Sequence, residues 1–135
     1  MSVTLLSSPL QGFTDFRFRN AFHKHFGGID KFYSPYIRLN GKLEIKASYE
    51  RDILPENNTT LEVIPQIITN DADEFLFVAK YVQSLGYKEL NWNLGCPYPM
   101  VAKCGMGSGL ISNTERIHSI LDKVHSETNI VVSMK

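Results

Sequence analysis

The sequence predicts an α/β fold, a (β/α)8 TIM barrel of which residues 1–135 supply about the first five strands. Three observations predict it. Short β-rich runs alternate with helical ones as β-α-β-(loop)-β-α-β-α-β, an order that implies a parallel sheet with right-handed crossovers. The first strand-to-helix turn, Pro9-Leu10-Gln11-Gly12, is no G-x-G-x-x-G, which a doubly wound nucleotide fold would require. A closed barrel needs roughly 250 residues. The last strand also runs flush to Lys135, so the expectation is a truncated N-terminal piece of a longer barrel.

The elements follow in order. Residues 3–8 form a short apolar run bounded by Pro9, read as a buried strand. Thr14 is placed as the N-cap of a helix over 15–26, with Phe18, Ala21, Phe22 and Phe26 on its inner face and Gly27-Gly28 as its stop. Residues 31–37 read as a second strand despite Pro35. Asn40-Gly41 signals a turn, 43–49 a short helix, and 55–58 a loop. Strand three is read over 61–69, although Pro65 argues against a central strand unless it lies at a bulge. Asn70 or Asp71 caps the next helix, which buries Phe75, Val78, Ala79, Val82 and Leu85 and ends at Gly86. Strand four covers 89–93. Residues 112–115, Ser-Asn-Thr-Glu, read as a capping box before a helix facing inward with Ile117, Ile120, Leu121 and Val124. Strand five covers 130–134.

Composition excludes little. Lys+Arg 14 balance Asp+Glu 14, so no global field points to nucleic acid or membrane, and a local basic patch stays compatible with neutrality. No apolar run reaches membrane-spanning length, and the first residues reach Pro9 too soon for a secretory signal. The two cysteines, Cys96 and Cys104, share one loop region. A cytoplasmic, reduced protein is expected, with a thiol rather than a disulfide and no metal.

Chemistry concentrates in Asn91-Trp92-Asn93-Leu94-Gly95-Cys96-Pro97 and its continuation to Gly109. A strand ends in a Gly-Cys-Pro turn, and Gly105-Met106-Gly107-Ser108-Gly109 follows before a helix. That is a βα loop, the part of a barrel that carries function. Cys96 on such a turn is placed at a surface. Cys104 is expected to be a buried spectator.

Five blocks in order resemble the flavin-dependent tRNA-dihydrouridine synthases. Residues 8–15 with Phe18-Arg19 resemble the opening A-P-M-x-G-V-T-D-x-x-F-R, with Leu10 where methionine is usual. Gln66 resembles the family's flavin-contacting glutamine, and 93–97 is N-x-G-C-P. Val101 and 103–110 resemble V-x-K-x-G-A-G-A-x-L, and 131–135 resembles the V-x-V-K strand. Tyr36-Ile37-Arg38 resembles a strand-two ending E-F-V-R, with Pro35 in place of the acid.

The resemblance implies the reaction. NADPH reduces FMN, the flavin N5 delivers hydride to C6 of a flipped-out uridine in tRNA, and Cys96 protonates C5 from the opposite face. Cys96 is thus the catalytic residue. Pro9, Leu10, Gln11, Gln66 and Lys135 are the FMN-binding candidates; Asn93, Arg38 and Lys103 are the substrate candidates. Arg17, Arg19, Lys24, Lys42 and Lys46 are available for phosphates, with Arg17 and Lys24 more in keeping with a solvated helix face. The second half-barrel and a helical RNA-binding domain are absent from the 135 residues. The full-length protein is expected to be a monomer. The alternatives are an inactive fragment keeping the scaffold with weak RNA affinity, and another FMN barrel acting on a free pyrimidine.

Overall fold

Two prolines set the register of the sheet. In the computed structural model, which describes residues 3–135, β2 (Lys31–Ile37) pairs in parallel with β3 (Glu62–Ile67). Tyr33 lies opposite Ile64 and Tyr36 opposite Gln66, so Ser34 and Pro35 together face Pro65 alone. That two-against-one mismatch is a β-bulge, and it is where a strand tolerates residues that cannot donate to the ladder. Ser34 Oγ accepts the Gln66 N–H at 3.1 Å, replacing the ladder bond the bulge breaks. Strand three thus survives its proline.

β1 (Leu6–Ser7), β4 (Glu89–Trp92) and β5 (Val131–Met134) complete a parallel sheet in the order β1-β2-β3-β4-β5. Helices α1 (Phe16–His25), α2 (Ala47–Ile53), α3 (Ala72–Ser84), α4 (Pro99–Ala102) and α5 (Thr114–Glu127) interleave with it, with 3-10 turns at Pro55–Asn57 and Gly107–Gly109. This is the N-terminal half of a TIM barrel, and the barrel is not closed.

The main core lies on the outer side of the sheet. Ile37, Ile67, Leu90 and Trp92 meet Phe75, Val78, Ala79 and Val82 of α3 and Ile120 and Val124 of α5. The Phe75 and Trp92 rings meet edge to face at 5.0 Å, and Trp92 Nε1 donates to Thr69 O at 3.0 Å. Each large side chain so buried contributes about 1.5–3 kcal/mol. Asp71 caps α3 as expected, accepting from Asp73 N and Glu74 N.

Several local expectations are corrected. Asp15, not Thr14, caps α1; the Thr14 hydroxyl accepts instead from Leu10 N at 2.8 Å and closes the preceding turn. Asn113, not a Ser112 box, caps α5. The short helix expected over 43–49 lies at Ala47–Ile53, where no side chain caps its start. Cys104 is exposed rather than buried.

The inner face of α1 is the largest correction. Phe18 and Phe26 are exposed, at 44% and 79%, whereas Arg19, a candidate phosphate ligand, is fully buried. Arg19 Nη1 meets Asp52 Oδ2 at 3.2 Å and Thr14 O at 2.9 Å; Nη2 donates to Asp52 O and Asn58 Oδ1. Asp52 Oδ1 also accepts the Phe16 N–H at 2.6 Å, so one carboxylate both caps α1 and neutralises its arginine. Burial pushes the Asp52 carboxyl above its ordinary value, against the pull of Arg19 and the Phe16 amide. The folded state therefore holds that proton more tightly than the unfolded chain. The group's contribution to stability is present at low pH and fades as pH rises through the raised value.

The sheet has two open edges, with Leu6 and Met134 each 50% exposed and Val131 60%. Unpaired apolar edges template further pairing. The 135-residue chain is expected to elute from a size-exclusion column as associated species, and a monodisperse monomer would contradict that expectation.

Candidate active site

The site is assembled at the C-terminal ends of the strands. β4 ends at Trp92, and the Asn93 and Leu94 amides continue the ladder by donating to Ile67 O at 2.9 Å and Lys135 O at 3.0 Å. The chain then leaves the sheet, and Asn93 Oδ1 accepts the Gly95 N–H at 3.1 Å and the Cys96 N–H at 3.0 Å. One carboxamide oxygen holds the first turn of the loop, an Asx-type arrangement for which asparagine is well suited.

The glycine segment fixes the other side. Ser108 N and Oγ both donate to Cys96 O, at 3.1 and 3.0 Å. Gly107 has φ +56, and a Cβ there would sit 2.7 Å from Cys96 O. A Cβ at Gly109 would sit 2.1 Å from Ala102 O. No side chain fits at either position, so Gly107 lets backbone pass against the cysteine turn and Gly109 lets it pass against the end of α4. Val101 and Met106 settle on Ile68 beside Tyr36 and Cys96, forming a small second apolar cluster.

The alternating strand pattern places Tyr36, Gln66, Asn91 and Ser133 in one lateral row on the inner face, through registers Tyr36↔Gln66, Gln66↔Asn91 and Asn91↔Ser133. Gln66 Nε2 donates to Asn91 Oδ1 at 2.8 Å, and Asn93 Nδ2 donates to Gln66 Oε1 at 2.8 Å. Asn91 Nδ2 donates to Ser133 Oγ at 2.9 Å.

Above this row opens a cleft of about 470 Å³. Cys96, Asn93, Gln66, Pro9, Leu10, Gln11 and Lys135 all line it, so seven of the nine residues singled out from sequence come together. Gln11 reaches across to β2, with Oε1 accepting from Tyr36 N at 3.0 Å and Nε2 donating to Tyr36 O at 3.4 Å. Its side chain is therefore engaged by the protein, as are both ends of the Gln66 and Asn93 amides. Among the described residues, the lining side chains include one cation, Lys135, several carboxamides and no carboxylate. Such a set offers hydrogen-bonding groups and one positive charge beside a half-buried free cysteine.

Arg38 and Lys103 are not brought into this cleft. Arg38 lines a neighbouring one of about 570 Å³, with Asn40, Asp71, Glu74 and Cys104. Lys103 is exposed at the end of α4. Sequence reasoning missed Tyr36, Tyr98, Asn91 and Ser133. Tyr36 and Tyr98 line the cleft, and burial, followed by the nearby Cys96, pushes the Tyr36 phenol up. Asn91 stands two residues before Asn93 on one strand, a spacing that puts both on one face and was legible. Among the described residues no group of three or more His, Cys, Asp or Glu could hold a metal, and no helix is long and apolar enough to cross a membrane.

Comparison with known proteins places the chain in a family. A family model, Dihydrouridine synthase (Dus), matches residues 5–135. The chain is 26% identical over 127 residues to a tRNA-dihydrouridine(16) synthase of Ralstonia nicotianae, covering 90% of this chain and 39% of the relative. The same enzyme of Cupriavidus necator is 27% identical, with the same coverage. A tRNA-dihydrouridine(16/17) synthase [NAD(P)(+)] of Schizosaccharomyces pombe is 33% identical over 112 residues, covering 80% of this chain and 27% of the relative. The chain thus spans about two fifths of the length of the first two relatives. With a family match along nearly its whole length and the cysteine loop at the strand ends, the chain belongs to the dihydrouridine synthase family.

Proposed function

We propose that the protein carrying this sequence is an FMN-dependent tRNA-dihydrouridine synthase that reduces the C5=C6 bond of uridines in tRNA with NADPH, in the cytoplasm. The observation that carries the reading is the convergence of Cys96 with Asn93, Gln66, Lys135 and residues 9–11 on one cleft. FMN, when bound, supplies hydride transfer from NADPH to C6 of the uracil ring. Pro9, Leu10 and Gln11 would hold it largely through backbone and apolar atoms, because the Gln11 side chain is engaged by Tyr36. Lys135, with the second Nε2 hydrogen and spare Oε1 lone pair that Gln66 keeps, would hold its polar edge, and the lysine places positive charge where the ring gains electron density.

Cys96 holds the proton destined for C5 on a turn fixed by Asn93 below and Ser108 behind. A base must leave its stack to reach such a cleft, and Asn93 keeps its second Nδ2 hydrogen for an acceptor on the uracil edge, its oxygen being filled by the Gly95 and Cys96 amides. Arg38 and Lys103 lie outside the cleft and are assigned to the RNA backbone rather than to the base.

The test is reconstitution. The purified protein, supplied with FMN and NADPH, should form dihydrouridine in unmodified tRNA, read by mass spectrometry of nucleosides; no product would sink the reading. Asn93→Ala should lose most of that activity while FMN titration still shows binding, since the substitution releases the cysteine turn. Removing a buried polar partner costs about 1–3 kcal/mol. Loss of FMN binding would move Asn93 from the substrate to the cofactor.

A further inference from the structure

Three buried carboxamides form a directional chain beneath the cysteine loop. Asn91, Gln66 and Asn93 are 2%, 0% and 4% exposed, so water offers them no substitute partners. The direction is set at the loop. The Gly95 and Cys96 N–H groups can only donate, so Asn93 must present its oxygen to them. Its Nδ2 then faces Gln66 Oε1, which turns Gln66 Nε2 toward Asn91 Oδ1, and Asn91 Nδ2 toward Ser133 Oγ. Each amide has one orientation that satisfies both neighbours.

We propose that Asn91 is a positioning residue for the proton donor: through Gln66 and Asn93 it fixes the backbone of the turn that carries Cys96, and it couples that turn to β5. This deepens the reading above and rests on it for the role of Cys96. Asn91 itself does not line the cleft that holds the thiol. Without it, Gln66 Nε2 loses its recorded acceptor, and the Gln66 amide is free to rotate and withdraw the oxygen that Asn93 needs. The coupling to β5 follows because Ser133 lies on that strand, two residues before Lys135, which directly follows its end.

The experiment is amide hydrogen exchange on the full protein, comparing wild type, Asn91→Leu, Asn91→Asp and Ser133→Ala. In Asn91→Leu the Gly95 and Cys96 amides should exchange roughly 5- to 100-fold faster, the loss expected for one buried polar contact. The Lys135 amide, which donates to Trp92 O, should keep its protection. Asn91→Asp should restore the loop, because a carboxyl accepts from Gln66 and the Ser133 hydroxyl can turn to donate. Ser133→Ala perturbs the chain's far end without emptying its centre, and should give a smaller acceleration at the same two amides. In turnover, Asn91→Leu should lower kcat with little change in KM, and Asn91→Asp should recover it. Unchanged exchange at Gly95 and Cys96 in both Asn91→Leu and Ser133→Ala would overturn the proposal. So would equal acceleration throughout the sheet, which would make Asn91 merely structural. If wild type made no dihydrouridine while the exchange pattern held, the functional reading would fail and the coupling would stand.

Discussion

Replacing Cys96 with alanine is expected to slow uridine reduction by roughly 10²–10⁴-fold, the loss typical of a general acid. The substitution removes the thiol and leaves the turn in place. Cys96 is held by backbone contacts, its N–H on Asn93 Oδ1 and its carbonyl on the Ser108 N–H and hydroxyl, and none of these involves sulfur. The step that uses NADPH should proceed at the wild-type rate, so single-turnover kinetics would show the defect confined to the tRNA half. Cys104→Ala is the matched control. Its thiol is exposed, with Sγ against Met100 O at 3.3 Å, and lies outside the Cys96 cleft. A Cys96→Ala enzyme turning over tRNA normally would remove the thiol from the mechanism.

The largest stability effect is expected at Asp52, far from that chemistry. Asp52→Ala strips the charge partner from an arginine whose side chain is 1% exposed. It also deletes the acceptor for the first amide of α1. Breaking a buried pair by removing one partner costs about 3–5 kcal/mol, a large share of the 5–15 kcal/mol that holds a domain together. Replacing both partners, Arg19→Met with Asp52→Ala, should recover part of the loss, since no uncompensated charge is then buried. Urea midpoints measured on the full protein test this. A shift for Asp52→Ala within about 0.5 kcal/mol, the range of ordinary surface substitutions, would mean that the pair does not anchor α1.

What the sequence revealed tracks how local each signal was. The cap at Asp71, the stop at Gly86 and the turn at 93–97 rest on residues within one helical turn of each other, and all were readable. The Gln66–Asn91–Ser133 row needs the register of three strands, and that register depends on a bulge where Ser34 and Pro35 face Pro65. Nothing in a linear reading places those residues side by side. The face of α1 misled for a related reason. Phe18, Phe22 and Phe26 carry an apolar helical period, yet the buried position is Arg19, bound by Asp52 and Asn58, which lie 33 and 39 residues away. Periodicity identifies an apolar stripe but not what covers it. Helix α2 lacked even a cap to announce its start. Arg38 and Lys103 were grouped with the site by resemblance to the family's motifs, whereas Arg38 lines the neighbouring cleft and Lys103 is exposed at the end of α4.

The most direct measurement of the central claim is the dihydrouridine content of tRNA, position by position, in cells with the gene intact, deleted, and restored. The account predicts that deletion removes dihydrouridine from a defined position or small set of positions. Restoring the gene should return it, and restoring the Cys96→Ala form should not. Unchanged dihydrouridine at every position after deletion, in cells with no second enzyme of this family, would contradict it.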